Sequence, residues 1–267
     1  MAVLVDTTKG KSVSDESLLE ECQRIMDAAE RNNVLLRVMG SIAFKIHCQN
    51  FSYLAEKMER KLTDIDFASY TKESRRVDQL LRGLGYTTQS YVQLAAATMG
   101  RSIYWNRNLR SVHVDIFWDR LCMNHTVDFK DRLEEDKPTI PLPELLQEKF
   151  QIVKINLKDV KDVILLIREH DVSETDSGPE AIDISGIARI LSNDWGYYYT
   201  FTENIKKTLG LIGQFETLSE EDKTIVSTRS SKILEAIESA PKNLKWKLRA
   251  KIGPSRTWYT EVSEPSH

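Results

Sequence analysis

Cysteine is scarce in this 267-residue chain: Cys22, Cys48 and Cys122 are odd in number and far apart. They supply neither a disulfide framework nor a Cys-x-x-Cys metal knuckle. No apolar run approaches the ~18 uncharged residues that a bilayer span requires. The first residues offer only Val3-Leu4-Val5 before charge resumes at Asp6, too little for the apolar core of a secretory signal. There is no internal repeat and no low-complexity tract. Neither sign of charge is in excess, with 37 Lys and Arg against 40 Asp and Glu, so no global field draws in nucleic acid. With 41% hydrophobic and 29% charged residues, the composition excludes a disordered, collagenous or membrane-embedded chain. The expectation is a soluble cytoplasmic protein with no membrane partner, of one or two domains.

Charge is segregated locally instead. Between Lys242 and Arg256 six residues are basic and none acidic, whereas Glu134–Asp136 and the stretch from Asp171 to Asp183 are acidic. Partners must therefore be argued from patches.

Apolar periodicity gives the organisation. Ser14 can cap a helix over Asp15–Arg31, in which Leu18, Leu19, Cys22, Ile25, Met26 and Ala29 recur at three-to-four spacing. Val34–Met39 reads as a strand, Gly40-Ser41 as a turn, and Ile42–Phe51 as a helix, with a further helical stretch ending near Arg60. Ile65–Tyr70 alternates as a strand, and Lys72–Arg82 has a helical period closed by Gly83. Tyr86 to Trp118 reads as β structure, with strands Arg101–Trp105 and Ser111–Phe117 joined by a turn over Asn106–Arg110. From Pro143 the texture becomes helical: Glu144–Leu157, Asp159–Glu169, Ile184–Ser192, Glu203–Phe215 and Glu220–Ser239. Ser219 and Asp222 make a capping-box start for the last of these. Ser173–Ala181 reads as a loop. The predicted fold is α/β (α+β): a domain over residues 1–140 with a mixed sheet flanked by helices, a mostly helical domain over 141–240, and a basic extension over 241–267.

The most informative segment is Leu62-Thr-Asp-Ile-Asp-Phe67. On a strand, residues two apart share a face, which would align Asp64 with Asp66. Asp115 sits between apolar neighbours on another strand. If the two strands are adjacent, Asp115 completes a three-carboxylate cluster. Such a cluster repels itself, and a divalent cation resolves the conflict. Oxygen donors suit Mg²⁺, which keeps waters and also binds substrate phosphates. The second element is Gly40-Ser41 between strand and helix. Glycine permits close backbone approach, and the amides of the helix start with the Ser41 hydroxyl can hold phosphate oxygens. Each element alone also has a bland reading: a solvated strand face for the acids, a tight turn and helix cap for Gly40-Ser41.

Taken together, strand, Gly-Ser, helix, Thr63-Asp-Ile-Asp-Phe67 and an isolated strand Asp115 resemble the polymerase-β-like nucleotidyltransferase superfamily. Arg60-Lys-Leu-Thr-Asp-Ile-Asp-Phe67 is similar to the Arg-x-x-x-Asp-h-Asp segment of its AbiEii-like toxin branch. Leu145-Leu-Gln-Glu-Lys149 followed by Lys158-Asp-Val-Lys-Asp162 resembles that branch's helical Lys and Asp-x-x-Asp. The resemblance covers about residues 34–168. It departs in the 22 residues between Ser41 and Asp64, and in Ser41 where the toxin branch often has a second Gly.

The resemblance implies transfer of a nucleoside monophosphate from a triphosphate to an acceptor hydroxyl, with release of pyrophosphate. It implies Asp64, Asp66 and Asp115 as catalytic metal ligands for two Mg²⁺ ions, with Mn²⁺ an alternative. Gly40, Ser41, Lys149, Asp159 and Asp162 would serve the nucleotide. Acceptors would be tRNA, a protein or a small molecule, and the toxin branch implies an antitoxin protein as partner. Two alternatives stand beside this: a catalytically silent nucleotide- or partner-binding module of the same fold, and a phosphodiesterase or nuclease using the same acids.

Weaker features complete the reading. His113 shares a strand face with Asp115 and reads as cross-strand packing or a supporting hydrogen bond, with contact to the metal site the alternative. His47 is structural, and Gly83-Leu-Gly85 ends a helix and starts a strand. The aromatic run Trp195–Phe201 reads as packing between helices, with base stacking the alternative. Lys245–Ile252 alternates strictly, and as a strand would align Lys245, Lys247, Arg249 and Lys251 on one face, either a groove for a polyanion or simply a solvated face or flexible tail.

Overall fold

The structure, a computed structural model, describes residues 14–89, 96–97, 100–106, 113–175 and 178–262. The turn expected over Asn106–Arg110 lies largely outside these, as do Ser111 and Val112 of the following strand. The chain is mixed α/β, with a five-stranded sheet flanked by helices and a helical C-terminal portion.

Ser14 caps α1 (Asp15–Arg31) by accepting the Ser17 N–H, and the apolar stripe of α1 is buried at Leu18, Cys22, Ile25 and Ala29. β1 (Arg37–Met39) runs directly into α2 (Gly40–His47), and α3 (Ser52–Lys57) follows. β2 (Ile65–Ser69) leads through a 3₁₀ turn to α4 (Ser74–Gly83), then β3 (Tyr86–Thr87), β4 (Arg101–Asn106) and β5 (His113–Trp118). The sheet order is β1-β2-β5-β4-β3. β2 and β5 are parallel, and the other pairings are antiparallel. A small hairpin follows, β6 (Arg120–Cys122) with β7 (Thr126–Asp128).

Beyond it lie α5 (Leu142–Phe150), α6 (Leu157–Glu169), the parallel pair β8 (Asp171–Ser173) and β9 (Ala181–Asp183), then α7 (Ile184–Leu191), α8 (Trp195–Ile212), α9 (Glu220–Ser239) and α10 (Leu244–Ile252). One hydrophobic cluster continues from Leu18 through the sheet to Ile237 in α9, so the sheet and the helices share a core.

The sequence-based boundaries need four physical adjustments. Asp64 precedes β2 rather than lying in it, because pairing begins at Ile65 opposite Val114 and β1 reaches only as far as Asp66. The helix expected over Glu144–Leu157 stops at Phe150; Asn156 then caps α6, accepting from the Lys158 and Asp159 amides. α8 begins at Trp195, capped by Asp194, so the aromatic run forms its first two turns. Lys245–Ile252 is helix, not strand. Asn243 caps it by accepting the Trp246 N–H, and the helical period turns Trp246 and Arg249 toward α8 while scattering the lysines.

α5 is the element that positions the site. All nine of its residues are buried, including Glu144, Gln147, Glu148 and Lys149. Such a helix is tolerated only if each charge has a partner. Arg132 holds Glu144 at 2.7 Å, and the site holds the other two. α5 packs on α2, α6 and α8.

Candidate functional site

Parallel pairing of β2 and β5 sets Asp66 directly opposite Asp115. On the other side Asp66 faces Met39, the last residue of β1, so the β1–α2 turn falls at the level of the acids. Gly40 makes that turn with φ +66°, a region L side chains rarely adopt. A Cβ there would overlap Asp66 Oδ2 and lie 3.1 Å from Asp66 Cγ. Glycine is thus demanded twice, by its dihedral and by the carboxylate beside it.

The Gly40 N–H donates to Glu148 Oε2 at 3.0 Å. The amide expected to meet a phosphate is therefore committed to α5, and the role of Gly40 is steric. Ser41 remains: its Oγ is buried without a hydrogen-bond partner, on the wall of a cavity of about 660 Å³. Arg60, Thr63, Asp64, Asp66, Lys149 and Asp159 line the same cavity. Asn124, residues 151–154, Lys158 and, late in the chain, Tyr259, Glu261 and Val262 also line it.

Lys149 is a buried lysine, not a surface one. Its Nζ lies 3.1 Å from Glu148 Oε1 and 3.5 Å from both Asp159 Oδ1 and Asp162 Oδ2. Burial works against its charge, but Glu148, Asp162 and Asp159 outweigh it and hold the ammonium above its usual pKa. Arg60 grips Asp162 with two bonds, Nε to Oδ1 at 2.7 Å and Nη2 to Oδ2 at 2.8 Å. Asp162 is outside the cavity lining. It positions Lys149 and Arg60 from behind the wall, whereas Asp159, which also closes the α6 capping box with Asn156, holds Lys149 and lines the cavity.

The third acid departs from the expected open cluster. Asp115 is absent from the cavity lining, and its Oδ2 lies 2.6 Å from Arg101 Nη2 and 3.7 Å from His113 Nε2. The cause is sheet geometry. Ile103 of β4 faces Asp115, and Arg101, two residues away, shares its face. Asp115 Oδ1 and Arg101 Nε are nevertheless buried without hydrogen-bond partners.

The electrostatics are those of crowded acids. Burial, then Asp64, Asp115 and Glu148, push the Asp66 carboxyl well above its usual range, with Lys149 opposing. Burial pushes Asp115 up to about 7 despite Arg101, and Asp64 adds to the rise. Arg60, Arg101 and Lys149 make the ion pairs with Asp115, Glu148, Asp159 and Asp162, and Lys154 and Lys158 also line the cavity.

Among the described residues, no three His, Cys, Asp or Glu side chains are gathered into a preformed ion cage. The donor chemistry nonetheless fits a hard divalent cation: the carboxylates of Asp64 and Asp66 line the cavity, and Ser41 Oγ and Asp115 Oδ1 have no partner.

Several site residues were not singled out from the sequence. Glu148 adjoins Lys149, and Arg60 opens the Arg-x-x-x-Asp segment, so both had a local signal. Arg101, Tyr259 and Glu261 had none, since only the tertiary fold brings them here. His47 sits elsewhere, hydrogen-bonded to Thr139. Tyr197 stacks on His125 with ring centroids 4.9 Å apart, and Phe201 packs on Phe150, so the aromatic run is core.

No protein-family model, curated protein or solved structure matches the chain. Among the described residues, no helix is long and apolar enough to cross a membrane.

Proposed function

We propose that the protein is a metal-dependent nucleotidyltransferase, moving a nucleoside monophosphate from a triphosphate to an acceptor hydroxyl and releasing pyrophosphate. One observation carries this reading. The turn at Gly40-Ser41 is packed against Asp66, and Asp66 is in register with Asp115, so the unpartnered Ser41 hydroxyl on the cavity wall adjoins an acid pair.

Asp64 and Asp66, with Asp115 behind them, would hold Mg²⁺ or Mn²⁺. When bound, the metal would screen the acids from the triphosphate and stabilise charge on the attacking and leaving oxygens. The rest falls to the chain. Ser41 Oγ would donate to a phosphate oxygen. Lys149, fixed by Glu148, Asp159 and Asp162, would present a compact positive charge to the triphosphate tail. Arg60, held in a bidentate grip beside Asp64, would add a second. Positioning and charge neutralisation then supply most of the rate.

A second reading has its own support. The Arg101–Asp115 ion pair neutralises the third acid, which suits a silent nucleotide-binding module. Incubation with Mg²⁺ and each α-labelled triphosphate, with and without total RNA, separates the two. Label on RNA, protein or a small acceptor supports transfer; triphosphate binding with no label transferred and no pyrophosphate released supports the module.

A further inference from the structure

Six large apolar side chains are exposed among the described residues, and three of them lie on α10: Leu244 at 72%, Leu248 at 54% and Ile252 at 43%. Their spacing of four places them on one helical face about 80° wide. The opposite face is anchored. Trp246 Nε1 donates to the Leu191 carbonyl at 3.1 Å, and its ring packs edge-on against Tyr198. Arg249 lies over Trp195 and donates to the Gly253 and Arg256 carbonyls. The aliphatic stripe is therefore held outward by a rigid mount.

Lysines rim the stripe. On the helical wheel Lys247 and Lys251 flank it on one side and Lys245 on the other, and all three are exposed. A polyanion groove would put the basic residues together, whereas here an apolar seam divides them. A membrane-lying helix buries a broad apolar face, whereas an 80° stripe has the narrower width of a helix–helix seam. A second copy is disfavoured too. Pairing α10 with itself sets lysine rim against lysine rim, and the other exposed apolar residues, Tyr53, Leu157 and Ile190, are single residues on three separate helices.

We propose that α10 is a docking surface for an amphipathic helix of another protein, whose apolar stripe is flanked by Asp and Glu. The inference is independent of the activity proposed above. It also bears on the cleft, because α10 leads within a few residues to Tyr259, Glu261 and Val262 on the cavity wall.

The test uses the full chain and a fluorescent synthetic helix of about twenty residues, long enough to hold helicity, with a leucine stripe between rows of glutamate. A lysine-flanked version, phosphatidylcholine–phosphatidylglycerol vesicles and oligouridylate are the comparisons. The acidic helix should bind in an anisotropy titration, and more weakly in high salt. Leu248→Glu should weaken it by about tenfold or more, and Lys247→Glu with Lys251→Glu should turn preference toward the lysine-flanked helix. These side chains are exposed, so circular dichroism and melting temperature should not change. No binding of the acidic helix, equal binding by Leu248→Glu, or binding of vesicles or oligouridylate in its place would overturn the proposal.

Discussion

Gly40 and Asp66 are in contact so close that residue 40 has no room for a side chain: a Cβ would overlap Asp66 Oδ2. The turn and the acid are one unit, although 25 residues separate them in the chain. Gly40→Ala should therefore fail on two grounds. The positive φ alone costs on the order of 1–3 kcal/mol, and Asp66 must also move. Gly83, with open space around its Cα, is the control. Gly83→Ala should be neutral or slightly stabilising. Urea unfolding of both variants checks this.

Asp66→Asn removes charge from the crowded acids. The folded pKa values of Asp66 and Asp115 are raised, so the folded state holds protons that the unfolded state releases. Stability from this source is present at low pH and is lost as pH rises from 3.8 through about 7. The melting temperature of Asp66→Asn should exceed that of the wild type by a margin that grows across this window. Mg²⁺ should stabilise the wild type and not the variant. A margin independent of pH would mean that charge repulsion is not its source.

Lys149 is the shared cation of three buried acids, and only Asp162 has a second one in Arg60, so Lys149→Ala should cost about 3–5 kcal/mol by leaving Glu148 and Asp159 uncompensated. Calorimetry on the folded variant should show weaker triphosphate binding and nearly unchanged monophosphate binding. Equal triphosphate affinity in the two proteins would remove Lys149 from the site.

Histidine burial predicts the opposite acid response. Burial lowers His47 and His125 from 6.5 to about 4, so the folded state favours their neutral forms. Their contribution is complete above 6.5 and lost as pH falls toward 4. His125→Gln should flatten the fall in urea midpoint across that window, which a pH series of unfolding curves would measure.

The sequence exposed what local periodicity controls. Ser14 and Ser219 mark helix starts because capping is a four-residue event, and the apolar neighbours of Asp66 and Asp115 mark strands. It hid what depends on distant partners. Nothing near Asp115 announces Arg101, which arrives through β4–β5 register. Asp64 falls outside β2 because β1 reaches only as far as Asp66 and pairing with β5 begins at Ile65. The lysine alternation in α10 imitates a strand, yet the indole of Trp246 and the guanidinium of Arg249 both find partners around α8 only in a helix. The resemblance marked Lys149, but only the burial of every residue of α5 shows that its charge is held by acids rather than by water.

The most direct measurement uses triphosphate labelled at the α position in one reaction and at the γ position in a parallel one, each with Mg²⁺ and total RNA or protein acceptors. Nucleotidyl transfer predicts α label on the acceptor, γ label in pyrophosphate, and neither with Asp66→Asn. Label from the γ position on the acceptor, or transfer undiminished in Asp66→Asn, would contradict the account.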